Sequence, residues 1–388
     1  MKKTVLIAFF ATLVFLISRS NIYAYSVSEG REALFNHGDP TYSGLLYANQ
    51  QFKGVLSSDP NNYQANLFYA VTRIAAFALE TGSGGSLETL RDVFEAFGMT
   101  RNTNDFIDIG PPYDTALELP GNSPSGEAIR QFLAGPYLTL LNETLENLAK
   151  IPNSFKTILT ADETGDQAVE IDYGDVLMYK AMLNANRCLI LIMSSYNLNM
   201  DIDAIANKTS NDQFYINTDL LKPYPEFLKL LSGGGATLIN AETALLDTIN
   251  SYLAASTFIR LETDYQLDDL IAIDPEDLGD EALLRQNLNE LKASLNENRT
   301  ANLTDNVEHL SLNLNPFFGY GSGPYDLRDF LPLFNQCNDP INGSMGHGLG
   351  DDPTLGGILP EFSQGDWDFE IVPCVMAMPW IPLLLLDD

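Results

Sequence analysis

The sequence predicts a mainly α protein: antiparallel helical hairpins, repeat-like at the N-terminus, with one small β-hairpin and an irregular C-terminal cap. Three observations predict it. Apolar residues recur three to four positions apart through most of residues 25–311. Asp, Asn, Gly and Pro gather at the breaks between those runs. From about Leu312 the periodicity stops, and Gly, Pro and Asp mix with isolated large apolar side chains. The chain has 388 residues, enough to bury one large core or two adjoining ones.

The N-terminus reads as a signal peptide. Lys2 and Lys3 precede an apolar run over residues 4–17, and a more polar stretch ends at Ile22-Tyr23-Ala24. The run is shorter than the roughly 20 apolar residues that a membrane span needs. Residues 1–24 are therefore set aside, and no membrane span is expected after cleavage. Removing Lys2, Lys3 and Arg19, with no acid among them, takes the net charge from −31 to −34. Such a surface repels nucleic acid and anionic membranes, which excludes both as partners. It favours solubility and divalent cations.

The organising stretch is residues 41–80. Leu45, Ala48, Phe52 and Val55 share one helical face. Pro60 cannot continue that helix and biases Asp59 away from helical angles. Asn61 or Asn62 then caps a second helix, whose expected core face is Leu67, Val71, Ile74 and Phe77 or Leu79. Ala48, Phe52, Val55 and Pro60 stand at the spacing of the second helix and closing proline of a tetratricopeptide repeat, which the segment resembles over about one repeat. The resemblance implies helical-hairpin packing and contact with a protein partner.

The remaining elements follow in order. A short helix is expected from Ser86, with Leu87, Leu90, Phe94 and Phe97 inward and Gly98 as its stop. Residues 99–125 read as a long loop draped over the core by Ile107, Ile109 and Tyr113. Pro136 is expected at the first position of a helix with Leu138, Leu141, Leu145 and Leu148 in one stripe. Residues 155–172 alternate around a Gly-Asp turn, which predicts the β-hairpin. Residues 173–196 form the most hydrophobic helix after the leader. Val176, Met182, Leu183, Leu189, Leu191 and Ile192 cover most of its circumference, so it is expected at the centre of the helical domain. Pro225 is expected to open a short helix that stops at Gly233-Gly234-Gly235, and residues 241–262 a long one with Leu245, Ile249, Leu253 and Ile259 inward. An acidic connector, residues 264–280, leads to a stripe of Leu284, Leu288, Leu291 and Leu295. One short helix is expected at 326–334. Residues 312–388 are otherwise read as the cap, too apolar for disorder.

The chemistry is sparse. His37, His309 and His347 have no metal spacing to one another or to a cysteine. His347 lies in a glycine-rich loop beside Asp351 and Asp352. Nucleophile-elbow, phosphate-loop and dinucleotide signatures are absent. Cys188 reads as a buried small hydrophobe, and Cys337 and Cys374 as a disulfide of an exported chain. Calcium is the cofactor that the composition invites, since it takes hard oxygen ligands from loops. Its candidate ligands are Asp274, Asp277 and Asp280 with Glu276, then Asp351 with Asp352, and Asp201 with Asp203.

Together these features predict an exported, non-enzymatic helical protein with a partner-binding or structural role in the cell envelope, placed in the periplasm, on the outer surface or outside the cell. Two other readings stay open. One is a carboxylate-based hydrolase or carbohydrate-binding protein, with Phe317, Phe318, Tyr320, Trp367 and Trp380 stacking on the ligand. The other is a calcium-dependent surface component.

Overall fold

The computed structural model describes residues 25–99, 119–209, 216–263, 268–304 and 309–319, and short stretches between 324 and 361. The fold is mainly α with small two-stranded antiparallel sheets. Residues 1–24, most of the draped loop, Tyr320, His347, Asp351, Asp352, Cys337, Cys374, Trp367 and Trp380 lie outside the described residues.

Three helices open the fold: α1 (Val27–Phe35), α2 (Tyr42–Ser58) and α3 (Tyr63–Leu79). Each starts on a side-chain cap, from Ser26, Thr41 and Asn62 respectively, which satisfies an otherwise orphaned N–H of the first turn. The α2–α3 hairpin turns at Asp59-Pro60 as expected, and Leu45, Ala48, Phe52 and Val55 are all buried. The second face differs from expectation. Leu67 and Leu79 are buried, but Val71 is 45 % exposed, and Ala65, Phe68, Thr72 and Ala76 take the inward positions. The sequence reading lacked α1, which packs on α2 and sets Phe35 edge-on against Phe68 of α3, ring centroids 6.2 Å apart, so the Phe68 side of α3 is covered while Val71 stays exposed. Gly44 permits that contact, because a Cβ there would lie 2.3 Å from the Ala33 carbonyl oxygen.

Next comes α4 (Leu90–Ala96), which begins at Thr89 rather than Ser86. Thr89 and Asp92 exchange hydrogen bonds in a capping box that outcompetes the earlier serine. Pro136 does not start a helix. Ser125 caps α5 (Gly126–Phe132), a π-helical turn spans Leu133–Tyr137, and α6 (Leu138–Leu148) continues from it. The wider turn absorbs the missing N–H of Pro136 without ending the helix. Leu140, Leu141 and Leu148 of α6 are buried, with Leu138 and Leu145 packed beside them. The expected β-hairpin is present. β1 (Lys156–Leu159) pairs with β2 (Val169–Asp172), Lys156 opposite Asp172, and the one-turn helix α7 (Ala161–Thr164) joins them.

Helix α8 (Tyr173–Ser195) is the wall between two cores. Val176, Leu183 and Ile190 join Phe52, Phe68, Phe132 and Leu141 in the N-terminal core. Cys188 and Leu191 join Tyr196, Leu220, Phe227 and Leu238 in the other. The expectation that α8 is central holds for those two faces and fails for the third. Met182 and Leu189 are 63 % and 56 % exposed, and Ala185 between them is exposed too. The helix is long and apolar enough to cross a membrane, yet two of its faces are sealed inside the fold.

After α9 (Ile202–Thr209), residues 225–228 form turns rather than a helix, and Leu230 makes an antiparallel bridge to Tyr196. They pair with the end of α8: the Asn197 N–H donates to the Lys229 carbonyl at 2.9 Å, and the Leu228 N–H to the Asn197 carbonyl at 2.7 Å. The glycine triplet then opens a helix rather than closing one. Gly233, at φ +85°, caps α10 (Gly234–Leu261), whose first residue lies against the Ser195 carbonyl where a Cβ would sit 2.4 Å away. Only glycine allows α10 to start so close to the end of α8. From there α10 runs back along α8, so that Ile259 and Phe258 reach Gly174 and Tyr173 at its start.

The Leu284–Leu295 stripe lies on α11 (Leu278–Glu297), but only its end is used: Leu295 is 2 % and Leu284 45 % exposed. The helical stretch also stops before residue 311. β3 (Ala301–Thr304) and β4 (His309–Leu312) form a second hairpin, and α12 (Asn315–Phe318) follows. Of the helix expected at 326–334, the structure has a 3₁₀ turn at Leu327–Phe330. That part of the cap is docked by polar clamps. Arg328 donates to the Leu221 and Tyr224 carbonyls at 2.8 and 3.0 Å, and Asp326 accepts from the Leu230 N–H at 2.6 Å.

Candidate functional site

Two open grooves stand out among the described residues. The first, about 490 Å³, lies between α1 and the β1–α7 turn. Arg31 crosses its floor, donating to both oxygens of Glu163 at 2.7 and 2.6 Å, to Thr157 Oγ1 at 3.3 Å and to the Ile158 carbonyl at 2.6 Å. Burial would raise the Glu163 carboxyl; the Arg31 guanidinium and the Thr160 amide outweigh it and hold the group below the usual carboxylate range. At the rim His37, in the left-handed region at φ +57°, pairs with Asp162 at 2.7 Å. Both side chains are 71 % exposed. A His–Asp pair can serve as a general base when a nucleophile or substrate meets the free ring nitrogen. Here no described nucleophilic side chain is hydrogen-bonded to His37, and Arg31 is fully engaged in tying α1 to the β-hairpin. The groove's charges hold the fold together.

The second groove, about 560 Å³, is lined by Gln286, Asn289, Glu290 and Asn302. Arg299 holds Glu290 through two hydrogen bonds, at 2.5 and 3.0 Å, and the Asn302 N–H adds another at 3.0 Å. These donors draw the Glu290 carboxyl down to about 2. Its carboxylate staples α11 to β3.

The candidate calcium ligands among the described residues are Asp274, Glu276, Asp277 and Asp280, and Asp201 with Asp203. Asp274, Asp277 and Asp280 are all solvent-exposed. Asp277 is the residue before α11, and Asp280 lies in its first turn, where negative charge complements the helix dipole. Asp201 accepts from the Ala204 N–H as a cap, and Asp203 accepts from the Ser123 N–H and hydroxyl at 2.8 and 2.6 Å. Among the described residues no group of three His, Cys, Asp or Glu has metal-holding geometry. Of the aromatics proposed to stack on a ligand, Phe318 is 2 % exposed and Phe317 packs beside it against the second core. Phe318 is thereby withdrawn from a ligand-stacking role. Cys188 is buried as expected, and burial pushes its thiol up to about 11.

Two features escaped the sequence reading. The first is the exposed apolar stripe of α8, Met182, Ala185 and Leu189, with Met178 half-buried at its edge. The second is a knot of acids at the start of the same helix. Asp172 and Asp175 form a capping box: Asp172 Oδ1 accepts from the Gly174 and Asp175 amides at 2.7 and 3.3 Å, and Asp175 Oδ2 accepts from the Asp172 amide at 2.8 Å. Asp175 is 7 % exposed, and its Oδ1 has no hydrogen-bond partner. Burial, with the Asp172 and Asp269 carboxylates adding repulsion, pushes its carboxyl up to about 7. The visible signal was the Asp-x-x-Asp spacing just ahead of the apolar run. Compared with protein-family models, curated proteins and solved structures, the chain finds no significant match.

Proposed function

We propose that this chain is an exported, non-enzymatic helical protein that binds a protein partner in the cell envelope through the open face of α8. The observation that carries the reading is the stripe of Met182, Ala185 and Leu189, exposed on a helix whose other faces are sealed in two cores. Apolar side chains spread over two turns of one exposed helical face suit the apolar side of a partner helix. The net charge of −31 selects a partner whose rim around that side is basic. The resemblance of residues 41–80 to a tetratricopeptide repeat supports the same reading by analogy of fold. Export rests on residues 1–24, read as a leader. With residues 1–24 removed, Tyr25 would be the first residue, and its neighbour Ser26 already serves as the cap of α1.

The test is a photo-reactive residue at position 182 in the native envelope. It should capture one protein, and Leu189→Glu should abolish the capture while the thermal transition stays in place. A stripe that captures nothing, in a chain recovered entirely as free monomer, would sink the reading. Mass spectrometry of the mature chain should find its N-terminus at Tyr25; a retained Met1 would remove the export step.

A further inference from the structure

The two halves of α11 are held by different means. From Asn287 onward the helix is pinned on two sides. Asn287 exchanges hydrogen bonds with Thr304 of β3, donating to its carbonyl at 2.7 Å and accepting from its amide at 3.0 Å. Ser294 and Leu295 are 0 % and 2 % exposed, and Leu291 packs against the second core. Residues 278–286 have no such support. None of them is fully buried, and Leu278, Leu283 and Leu284 join no apolar cluster among the described residues. The helix start is weak as well. Asp277 makes no side-chain capping bond, and Gly279 stands where a Cβ would meet nothing. A missing cap and a helical glycine each lower local stability.

A single chain of polar contacts ties this half to α10. Arg285 donates to Ser256 Oγ at 2.6 Å, the Ser256 hydroxyl donates to Glu281, and Arg260 grips the same carboxylate. Arg285 also reaches the Leu253 carbonyl and Thr257 Oγ1, and Arg260 the Leu278 carbonyl at 3.1 Å. Glu281 is the centre of the chain. Its side chain is 9 % exposed, and it answers Arg260 directly and Arg285 through Ser256. Without its charge, two guanidinium groups would flank a hydroxyl that is 1 % exposed, with no carboxylate between them.

We propose that residues 278–286 are a hinged strap on α10, keyed by Glu281, that opens by itself while the rest of α11 stays docked. The hinge lies at Asn287, where the support from β3 begins. Opening uncovers the side of α10 that carries Leu253, Ser256 and Thr257, and both apolar cores stay closed. The strap gives the chain a conditional surface that does not depend on the partner proposed for α8. Closed, Glu281 and the two arginines satisfy one another; open, they face solvent.

Amide hydrogen exchange of the full chain, read by NMR and corrected for intrinsic rate, tests the strap. A released segment this short cannot keep its helix in water, so opening shows as exchange. The amides of 282–286 should exchange roughly tenfold or more faster than those of 293–295. Glu281→Gln should speed the first set by a further factor of about ten and leave the second unchanged. Equal wild-type rates in the two sets overturn the proposal. So does a Glu281→Gln chain in which both sets, or neither, speed up. If Glu281→Gln does not fold, Arg260→Gln at the more exposed end of the same chain of contacts takes its place, with the same expected and overturning results.

Discussion

Helices α2 and α11 carry apolar stripes of similar spacing and are held in opposite ways. α2 lies between α1 and α3, and its Ala48 and Phe52 are 0 % exposed. Among the described residues, α11 joins the second core through Leu291 and Leu295 in its second half. Its first half is held by charge: Glu281 grips Arg260, and Arg285 donates to Ser256 Oγ, the Leu253 carbonyl and Thr257 Oγ1 of α10 at 2.6, 3.2 and 3.0 Å. Burial is insensitive to salt and pH over most of their range. Contacts of exposed or half-exposed charges are worth less and can be screened. The comparison therefore separates a rigid N-terminal half from a loosely held helix, with α8 as the boundary between them.

The largest effect should come from the rigid side. Phe52→Ala removes a fully buried ring stacked on Phe68 with centroids 5.4 Å apart, and should cost about 3–5 kcal/mol in chemical denaturation. A loss under about 1 kcal/mol would mean that α1–α3 is not a cooperative part of the core.

The second effect belongs to the boundary. The Asp175 carboxyl is raised in the fold from its ordinary 3.8 to about 7. Its contribution is thus fully present below about pH 4 and is lost as the pH rises through 7. The whole excursion is worth on the order of 4 kcal/mol, as an upper figure. Asp175→Asn should match the wild type in acid and exceed it above pH 8 in urea denaturation. A variant that is weaker at every pH would show that the carboxylate is needed by the capping box rather than opposed by its neighbours.

The third pair tests α11 directly. Leu295→Ala should cost about 2–3 kcal/mol, whereas Leu284→Ala should stay within about 0.5 kcal/mol. Equal losses by thermal unfolding would erase the distinction between the two ends of the stripe. Smaller again, Asn62→Ala deletes the cap that accepts from the Ala65 amide at 3.0 Å and should cost about 1 kcal/mol. Last, Cys188 should resist alkylation at pH 8 until the chain unfolds, since its thiol is both buried and raised to about 11. Labelling at the rate of a free thiol would place the α8–α10 contact among the easily opened parts.

The legible parts of the fold are those where a local signal has one structural answer. Pro60 with Asn62 fixed the α2–α3 turn, and the alternation of 155–172 fixed the β-hairpin. The failures lie where the answer depends on something distant. Pro136 marks a helix start in isolation, but a π-helical turn flanked by packed helices carries it through. Gly233-Gly234-Gly235 reads as a stop, but the Ser195 carbonyl from α8 is what Gly234 must accommodate. The candidate site was less legible still. Asp274, Asp277 and Asp280 stood out by density and turned out exposed, while Asp175 was hidden as an ordinary acid at a helix start. Its character comes first from burial, with the Asp172 and Asp269 carboxylates adding to it, and burial is decided by elements distant in the chain.

By itself the sequence determined the helical class, the Asp59–Asn62 turn with its Asn62 cap, the first β-hairpin, and which residues are apolar, because these follow from periodicity and from backbone chemistry within a few residues. The tertiary structure alone decided which apolar faces are covered. Nothing in Leu284, Met182 or Val71 distinguishes them from Leu295, Leu183 or Phe68 until a second element arrives or fails to arrive. Burial, and the proton affinity that burial sets at Asp175, are properties of the neighbours rather than of the residue.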